Sequence, residues 1–240
     1  LMMPVPYGVL VGDTVTETMG ITRSQPPESL TMGGDQEPAP EGVWAPVYDV
    51  EDYLRYPDIL QLGELVVITE KLHGGNARYV WAHDRLWAGS RTTWKKPDPE
   101  NFVWKAAYAD PRIEAFCREY PGVVLYGEIL GIQDLKYGFT KGKVGFRAFD
   151  VLDGSGFWPV ARFVERLPTD LRVPILCDAG KWDPVLLSLA DGLSTLMSNE
   201  PVRKDTIREG IVIKPVVERT DLAIGRVQLK RVSDQYMESH

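Results

Sequence analysis

From Glu64 to Val232 the chain keeps returning to short runs of β-branched, aliphatic and aromatic residues bounded by Gly, Pro, Asn or Asp. Such runs read as strands. The clearest are 64–70, 123–130, 143–152, 209–217 and 226–232, and 77–82 with 86–88 flank His83-Asp84-Arg85 as the arms of a hairpin. Helical spacing is predicted over 49–56, over 101–120 in two pieces broken at Asp110-Pro111, and over 183–190. The strands follow no fixed repeat and no strict alternation with helices. That order predicts an α+β domain with largely antiparallel sheets.

The 240 residues, 44% of them hydrophobic, suffice for one substantial core or for one domain with an appendage. Residues 1–22 are expected to be ordered, with a strand at Tyr7–Val11 and a helical turn opened by Asp13-Thr14 and ended by Gly20. Residues 23–46 are rich in Pro, Gly and polar side chains and read as a linker or mobile loop. The expected division is therefore an N-terminal segment with linker over 1–45 and a main domain over 46–240. Cys117 and Cys177 lie far apart without metal-ligand spacing, and two reduced thiols in a cytoplasmic protein are expected over one disulfide. No apolar run approaches the roughly 20 residues of a bilayer span, and no secretory signal is visible, so no membrane partner is expected. The formal charge of −7 counts against a general polyanion binder, although a cleft's local field outweighs the sum.

Chemistry concentrates in a few segments. Glu70-Lys71-Leu-His-Gly74-Gly-Asn76 sets a lysine at the end of an apolar strand, before a Gly-Gly corner that lets backbone approach a ligand. A lysine held at the lip of a pocket among other cations can act as a nucleophile. In Val123–Gly131 a carboxylate, Glu128, sits inside an apolar strand and needs a cation, a hydroxyl or a metal-bound water. In Gly145–Val151, Phe149 and Asp150 are adjacent, so a regular strand would turn them to opposite faces. A Phe face is a platform for a purine. Arg208–Pro215 and Val227–Ser233 each carry a lysine, Lys214 or Lys230, within a β-run. Glu209 and Lys214 have opposite parity, so Glu209 must act from the beginning of its strand or across a bulge. Each segment alone has an ordinary explanation as a turn, an edge strand or a solvated face.

Their joint order is far more specific. It resembles motifs I, III, IIIa, IV and V of the covalent nucleotidyltransferase superfamily, which holds the polynucleotide ligases and RNA capping enzymes, and Ser90-Arg91-Thr92 resembles motif Ia. The corner Lys71-Leu-His-Gly-Gly-Asn76 is most similar to the RNA ligase 2 group, whose motif I reads Lys-x-x-Gly-x-Asn. DNA ligases and capping enzymes usually have Asp where His73 stands. One departure is Gln228, where RNA ligase 2-type enzymes commonly have the first lysine of Lys-x-Lys, so that position lacks the lysine's charge.

The resemblance implies two largely antiparallel sheets flanked by helices around an ATP cleft. It implies an ATP-dependent RNA ligase domain that joins a 3′-hydroxyl to a 5′-phosphate through lysyl-AMP. Lys71 would be the nucleophile. Lys214 and Lys230 would neutralise the α-phosphate, and Asn76 and Arg91 would contact ribose or phosphate. Phe149 would stack on adenine, Glu70 would reach the adenine edge, and Gly74 and Asp150 would support the site. Glu128 and Glu209 would hold Mg²⁺ or Mn²⁺, with Glu128 alternatively accepting from a ribose hydroxyl. RNA ends, in a nicked duplex, would be the partner. In the Deinococcus-type branch an OB domain precedes the catalytic one, so 1–45 is expected to include the remnant of an upstream domain. A DNA ligase adenylation domain, a GTP-dependent capping enzyme and a catalytically silent RNA-binding module are the alternatives.

Overall fold

The β-rich runs pair into two extended sheets in the computed structural model, which describes residues 33–196 and 206–239. The elements expected at 7–11 and 13–19 lie outside the described residues. In chain order the strands are β1 (Gln36–Glu37), β2 (Glu51–Asp52), β3 (Leu65–Lys71), β4 (Gly75–Ala82), β5 (Arg85–Ser90), β6 (Trp94–Lys95) and β7 (Val124–Leu130). They continue with β8 (Gly145–Asp153), β9 (Gly156–Phe157), β10 (Ile175–Lys181), β11 (Gly210–Pro215), β12 (Thr220–Asp221), β13 (Gly225–Arg226) and β14 (Leu229–Val232). The helices are α1 (Phe102–Ala109), α2 (Arg112–Glu119), α3 (Val160–Arg166) and α4 (Asp234–Ser239). One sheet runs β1-β6-β5-β4-β7-β8-β9 and the other β10-β3-β11-β14-β2, with β12 and β13 as a separate ribbon. Within the two sheets only β2 and β14 pair in parallel.

Local chemistry explains most of these elements. His83 and Asp84 both take positive φ, 50° and 57°, between Ala82 and Arg85, which pair directly. Both central residues left-handed is the geometry of a tight two-residue hairpin whose twist suits the flanking strands. Asn101 caps α1 by accepting from the Val103 amide at 2.9 Å. Asp110-Pro111 then breaks the helical run, as expected, and α2 buries Ile113, Phe116 and Cys117 on one stripe.

The first sheet is covered on both faces. Tyr79, Leu125, Ile129 and Phe146 pack against Val103, Trp104, Ile113 and Phe116 of α1 and α2. On the opposite face Val80, Val124, Tyr126 and Leu152 meet Trp94, Val43, Ala45 and Tyr48. In the second sheet Ile68, Ile211, Ile213 and Leu229 bury Tyr53 and Trp182. Each large side chain so buried contributes about 1.5–3 kcal/mol. A smaller cluster of Leu72, Leu130, Tyr137 and Val173 ties the ends of β3 and β7 together.

Three elements differ from expectation. Residues 49–56 form no α-helix: Glu51–Asp52 extends the second sheet beside β14, and only a 3-10 turn, Tyr53–Arg55, follows. Pairing with an open sheet edge outweighs a weak local helical spacing. Pro184–Ala190 is likewise a 3-10 helix, capped by Asp183. The Pro/Gly-rich stretch read as linker is seated on the first sheet over its described part. Gln36–Glu37 pairs with β6, and the carbonyls of Ala45 and Pro46 accept from Arg78 at 2.8 Å and Tyr126 at 3.1 Å. Buried donors need acceptors, and this strap supplies them.

β7 and β8 pair with one irregularity. Tyr126 faces Asp150 but the next rung is Gly127 to Ala148, which leaves Phe149 as the extra residue of a bulge. Opposite the bulge, a Cβ on Gly127 would collide with the Phe146 ring and the Arg147 carbonyl oxygen. Gly127→Ala is expected to lower stability by about 1–3 kcal/mol through overpacking. Thermal denaturation checks this, and an unchanged melting temperature would show that the bulge can move aside.

Candidate active site

β3 delivers Lys71 to the mouth of a cleft of about 280 Å³ between the two sheets. Glu70, Lys71, Asn76, Arg91, Glu128, Phe149, Asp150, Lys214 and Lys230 all line it, although they come from seven separate stretches of chain. Gln228, Tyr48, Asp49 and Val173 line it too. Gly74 stands just behind, where a Cβ would strike the Ile129 carbonyl oxygen. Only glycine lets this corner lie flat on β7.

Lys71 Nζ donates to Glu209 Oε1 at 2.5 Å. Glu209 acts from the residue before β11, which resolves its parity conflict with Lys214. Burial by itself would raise the Glu209 carboxyl, but His73 and Lys71 reverse this and hold it below its ordinary value. His73 Nδ1 lies 3.6 Å from the same oxygen and 3.3 Å from the Tyr236 hydroxyl. The second oxygen, Oε2, is buried without a hydrogen-bond partner. Glu128 behaves in the opposite way. Burial pushes it up to about 8, with repulsion from Glu209 adding to this and Lys71 opposing it.

The expectation that Phe149 and Asp150 face opposite ways is corrected by the bulge, which puts both on the cleft. Asp150 is fully enclosed by donors. Lys214 Nζ reaches Oδ1 at 2.7 Å, Arg226 donates at 2.8 and 3.0 Å, and the Tyr48 hydroxyl donates at 2.5 Å. Burial would raise its carboxyl; Lys214 and Arg226 more than reverse this and hold it well below the usual range. Burial holds Lys214 below the ordinary lysine value although Asp150 pulls the other way. Lys230 has no ion-pair partner among the described residues. Arg91 is tied to Asp49 and to the Tyr48 carbonyl. Glu70 lines the cleft with its carboxylate held by the Thr195 amide and hydroxyl, both at 2.8 Å, and by the Ser194 hydroxyl.

The sequence reading missed Tyr48 and Arg226. Arg226 carries the same signal as Lys230, a cation at a β-run, whereas Tyr48 sits beside a stretch read as linker and gives no signal. Among the described residues no three His, Cys, Asp or Glu side chains gather as a metal cage. The pair Glu128 and Glu209, with its buried unpartnered oxygen, nevertheless suits a hard cation that keeps most of its waters.

Two outcomes follow for the protein without ligand. Because the folded Glu128 value of about 8 lies above the ordinary 4.5, the native state binds the extra proton and loses stability as pH rises between them. Glu128→Gln is therefore expected to gain on the native protein by a melting-temperature difference that widens from pH 5 to pH 8. A constant difference would contradict the burial argument. Asp150→Asn leaves the buried Lys214 without its anion, while Arg226 keeps Glu218, and is expected to cost about 3–5 kcal/mol, read from denaturant titration.

A family model described as RNA ligase matches residues 64–232. Among solved structures, Naegleria gruberi RNA ligase with PPi superposes at TM-score 0.68 with 26% identity, covering 98% of this chain and 69% of that one. A mutant of the same enzyme with ATP and Mn gives TM-score 0.68 and 27% identity over the same shares. Another, with AMP and Mn, gives 0.68 and 26% over 96% of this chain and 68% of that one. No curated protein sequence matches the chain. The matched span runs from just before the strand that carries Lys71 to the end of the strand that carries Lys230, so it encloses the whole set of catalytic candidates: the chain belongs to the RNA ligase family.

Proposed function

We propose that this chain is an ATP-dependent RNA ligase that joins RNA 3′-hydroxyl and 5′-phosphate ends through AMP bound covalently to Lys71. The carrying observation is the placement of Lys71 in one cleft with Lys214, Lys230 and Glu128, its ammonium already gripped by Glu209. The similar Naegleria structures hold ATP, AMP, PPi and Mn, which supports the same nucleotide and a divalent cation here.

The chemistry is three in-line transfers at phosphorus. Lys71 Nζ, once freed of a proton, bonds to the α-phosphorus of ATP while the bond to the bridging oxygen breaks and pyrophosphate leaves. An oxygen of the RNA 5′-phosphate then takes AMP from the lysine, which recovers its amine. Finally the 3′-hydroxyl oxygen bonds to that activated 5′-phosphorus, loses its proton, and AMP departs. Such steps need positioning and charge neutralisation more than covalent help.

In this reading Lys214 and Lys230 face the phosphates. Lys214 is steadied by Asp150, whose supporting role is served by the three donors around it. Phe149 would offer its ring to adenine, Asn76 and Arg91 would contact ribose or phosphate, and Glu70, held by Ser194 and Thr195, would flank the adenine edge. Glu128 and Glu209 would hold Mg²⁺ or Mn²⁺ through waters, and the ion would supply charge for the phosphate oxygens. Glu209 then has two claims on it, and its release of the Lys71 ammonium accompanies activation of the nucleophile.

RNA is the substrate class. The proposal extends to a nicked duplex as the preferred form and to an OB-type domain as an aid in gripping it. The net charge of −7 supports the second part, since a net acidic chain attracts a polyanion less strongly than a basic one. The free thiols Cys117 and Cys177 support an intracellular setting, and among the described residues no helix is long and apolar enough to cross a membrane.

Intact-protein mass spectrometry after ATP with Mg²⁺ or Mn²⁺ is expected to show a gain of one AMP, about 329 Da, that pyrophosphate removes and Lys71→Ala abolishes. Full labelling of Lys71→Ala, or labelling by GTP in place of ATP, would overturn the assignment.

A further inference from the structure

Gln228 stands where a lysine is common in similar enzymes, and its surroundings give that difference a chemical meaning. The side chain is 1% exposed and lines the cleft. Its Oε1 lies 3.4 Å from Nη1 of Arg226. A guanidinium only donates, so the amide oxygen is turned toward Arg226 and the amide nitrogen is turned away. Arg226 cannot swing aside. Asp150 holds it at 2.8 and 3.0 Å, Glu218 at 2.5 and 2.8 Å, and it lies 3.7 Å over the Phe157 ring. The amide nitrogen, Nε2, is left buried with no hydrogen-bond partner. A buried donor without an acceptor is unfavourable and marks a place where an acceptor belongs.

The strand register says which acceptor. β11 and β14 pair Val212 with Lys230 and Ile213 with Leu229, so Lys214 falls opposite Gln228 on the next rung. Lys230, two residues on, shares the Gln228 face. Gln228 therefore shares one face of the sheet, and one cleft, with the two lysines assigned to the phosphates. We infer that Gln228 is a neutral hydrogen-bond donor to a non-bridging oxygen of the α-phosphate. This rests on the reading of the cleft as an ATP site. A neutral donor at this place has a physical reason. Lys214 and Arg226 are already matched by the carboxylates of Asp150 and Glu218. A third cation beside them would lack a partner until nucleotide arrived, whereas an amide supplies the hydrogen bond without the repulsion.

The test is single-turnover lysyl-AMP formation with ATP and Mn²⁺ in the native protein, Gln228→Leu and Gln228→Glu, together with melting of each protein without ligand. Gln228→Leu is expected to lose about ten- to a hundredfold in kcat/KM, the effect of one hydrogen bond to a charged oxygen. It is expected to melt at or above the native temperature, because a buried unpaired donor has gone. Its rate should keep the native dependence on salt, because no charge has been removed. Gln228→Glu, which cannot donate and repels phosphate, is expected to be slower still. Native efficiency in either variant overturns the inference. So does a Gln228→Leu protein that melts well below the native one, since that is the mark of a purely structural side chain. A native protein that forms no adduct removes the ATP reading itself, a result distinct from both.

Discussion

Asp150 is the carboxylate on which the cleft is hung. It is buried, and a buried anion is tolerated only when it is paired and fully hydrogen-bonded. Its donors come from three separate parts of the chain: Tyr48 from the strap before the first long strand, Lys214 from β11 and Arg226 from β13. Asp150 itself belongs to the first sheet and Lys214 to the second, so one ion pair bridges the two sheets across the cleft. The bulge at Phe149 is what turns Asp150 to this position while leaving the Phe ring on the same cleft. A regular strand would have offered the site one of these side chains and withheld the other.

A second constraint is the pair of carboxylates around Lys71. Glu209 touches Lys71 and is held below its ordinary value, while burial and the neighbouring negative charge lift Glu128 to about 8. Two acids of the same type are thus set to different charge states at neutral pH by surroundings alone. Within the site Lys71 is paired with Glu209 and Lys214 with Asp150, so charge is matched contact by contact. A site for a cation and a polyphosphate needs such reserve, because each newcomer can be met by a charge already present or by a proton released.

Much of the fold was legible along the chain. The hairpin at His83-Asp84, the helix break at Asp110-Pro111 and the strands bearing Lys71, Glu128 and Lys214 all follow from local signals that tertiary packing reinforces. The failures share one cause. Residues 49–56 have helical spacing, and residues 23–46 have the composition of a linker, yet 49–56 and the described part of the linker stretch are claimed by sheet edges and buried donors that belong to distant parts of the chain. Tyr48 was invisible for the same reason. Arg226 was within reach of the argument that found Lys230, since a charged residue bordering a β-run asks for a ligand or a partner.

The sequence by itself determined the kind of chemistry, because a lysine at a Gly-Gly corner, followed in order by Glu, Phe-Asp, Glu and Lys in or beside β-runs, is a pattern of residue types and spacing that needs no coordinates. It also determined that strands would dominate, since β-branched runs with turn residues between them leave little else. Tertiary structure alone decided that nine of these side chains share one cleft, that Phe149 and Asp150 look the same way, and that Gln228 is left with an unpaired donor. Those are matters of register between strands far apart in sequence. A bulge of one residue reverses a side chain's facing, and no local pattern records where that residue is inserted.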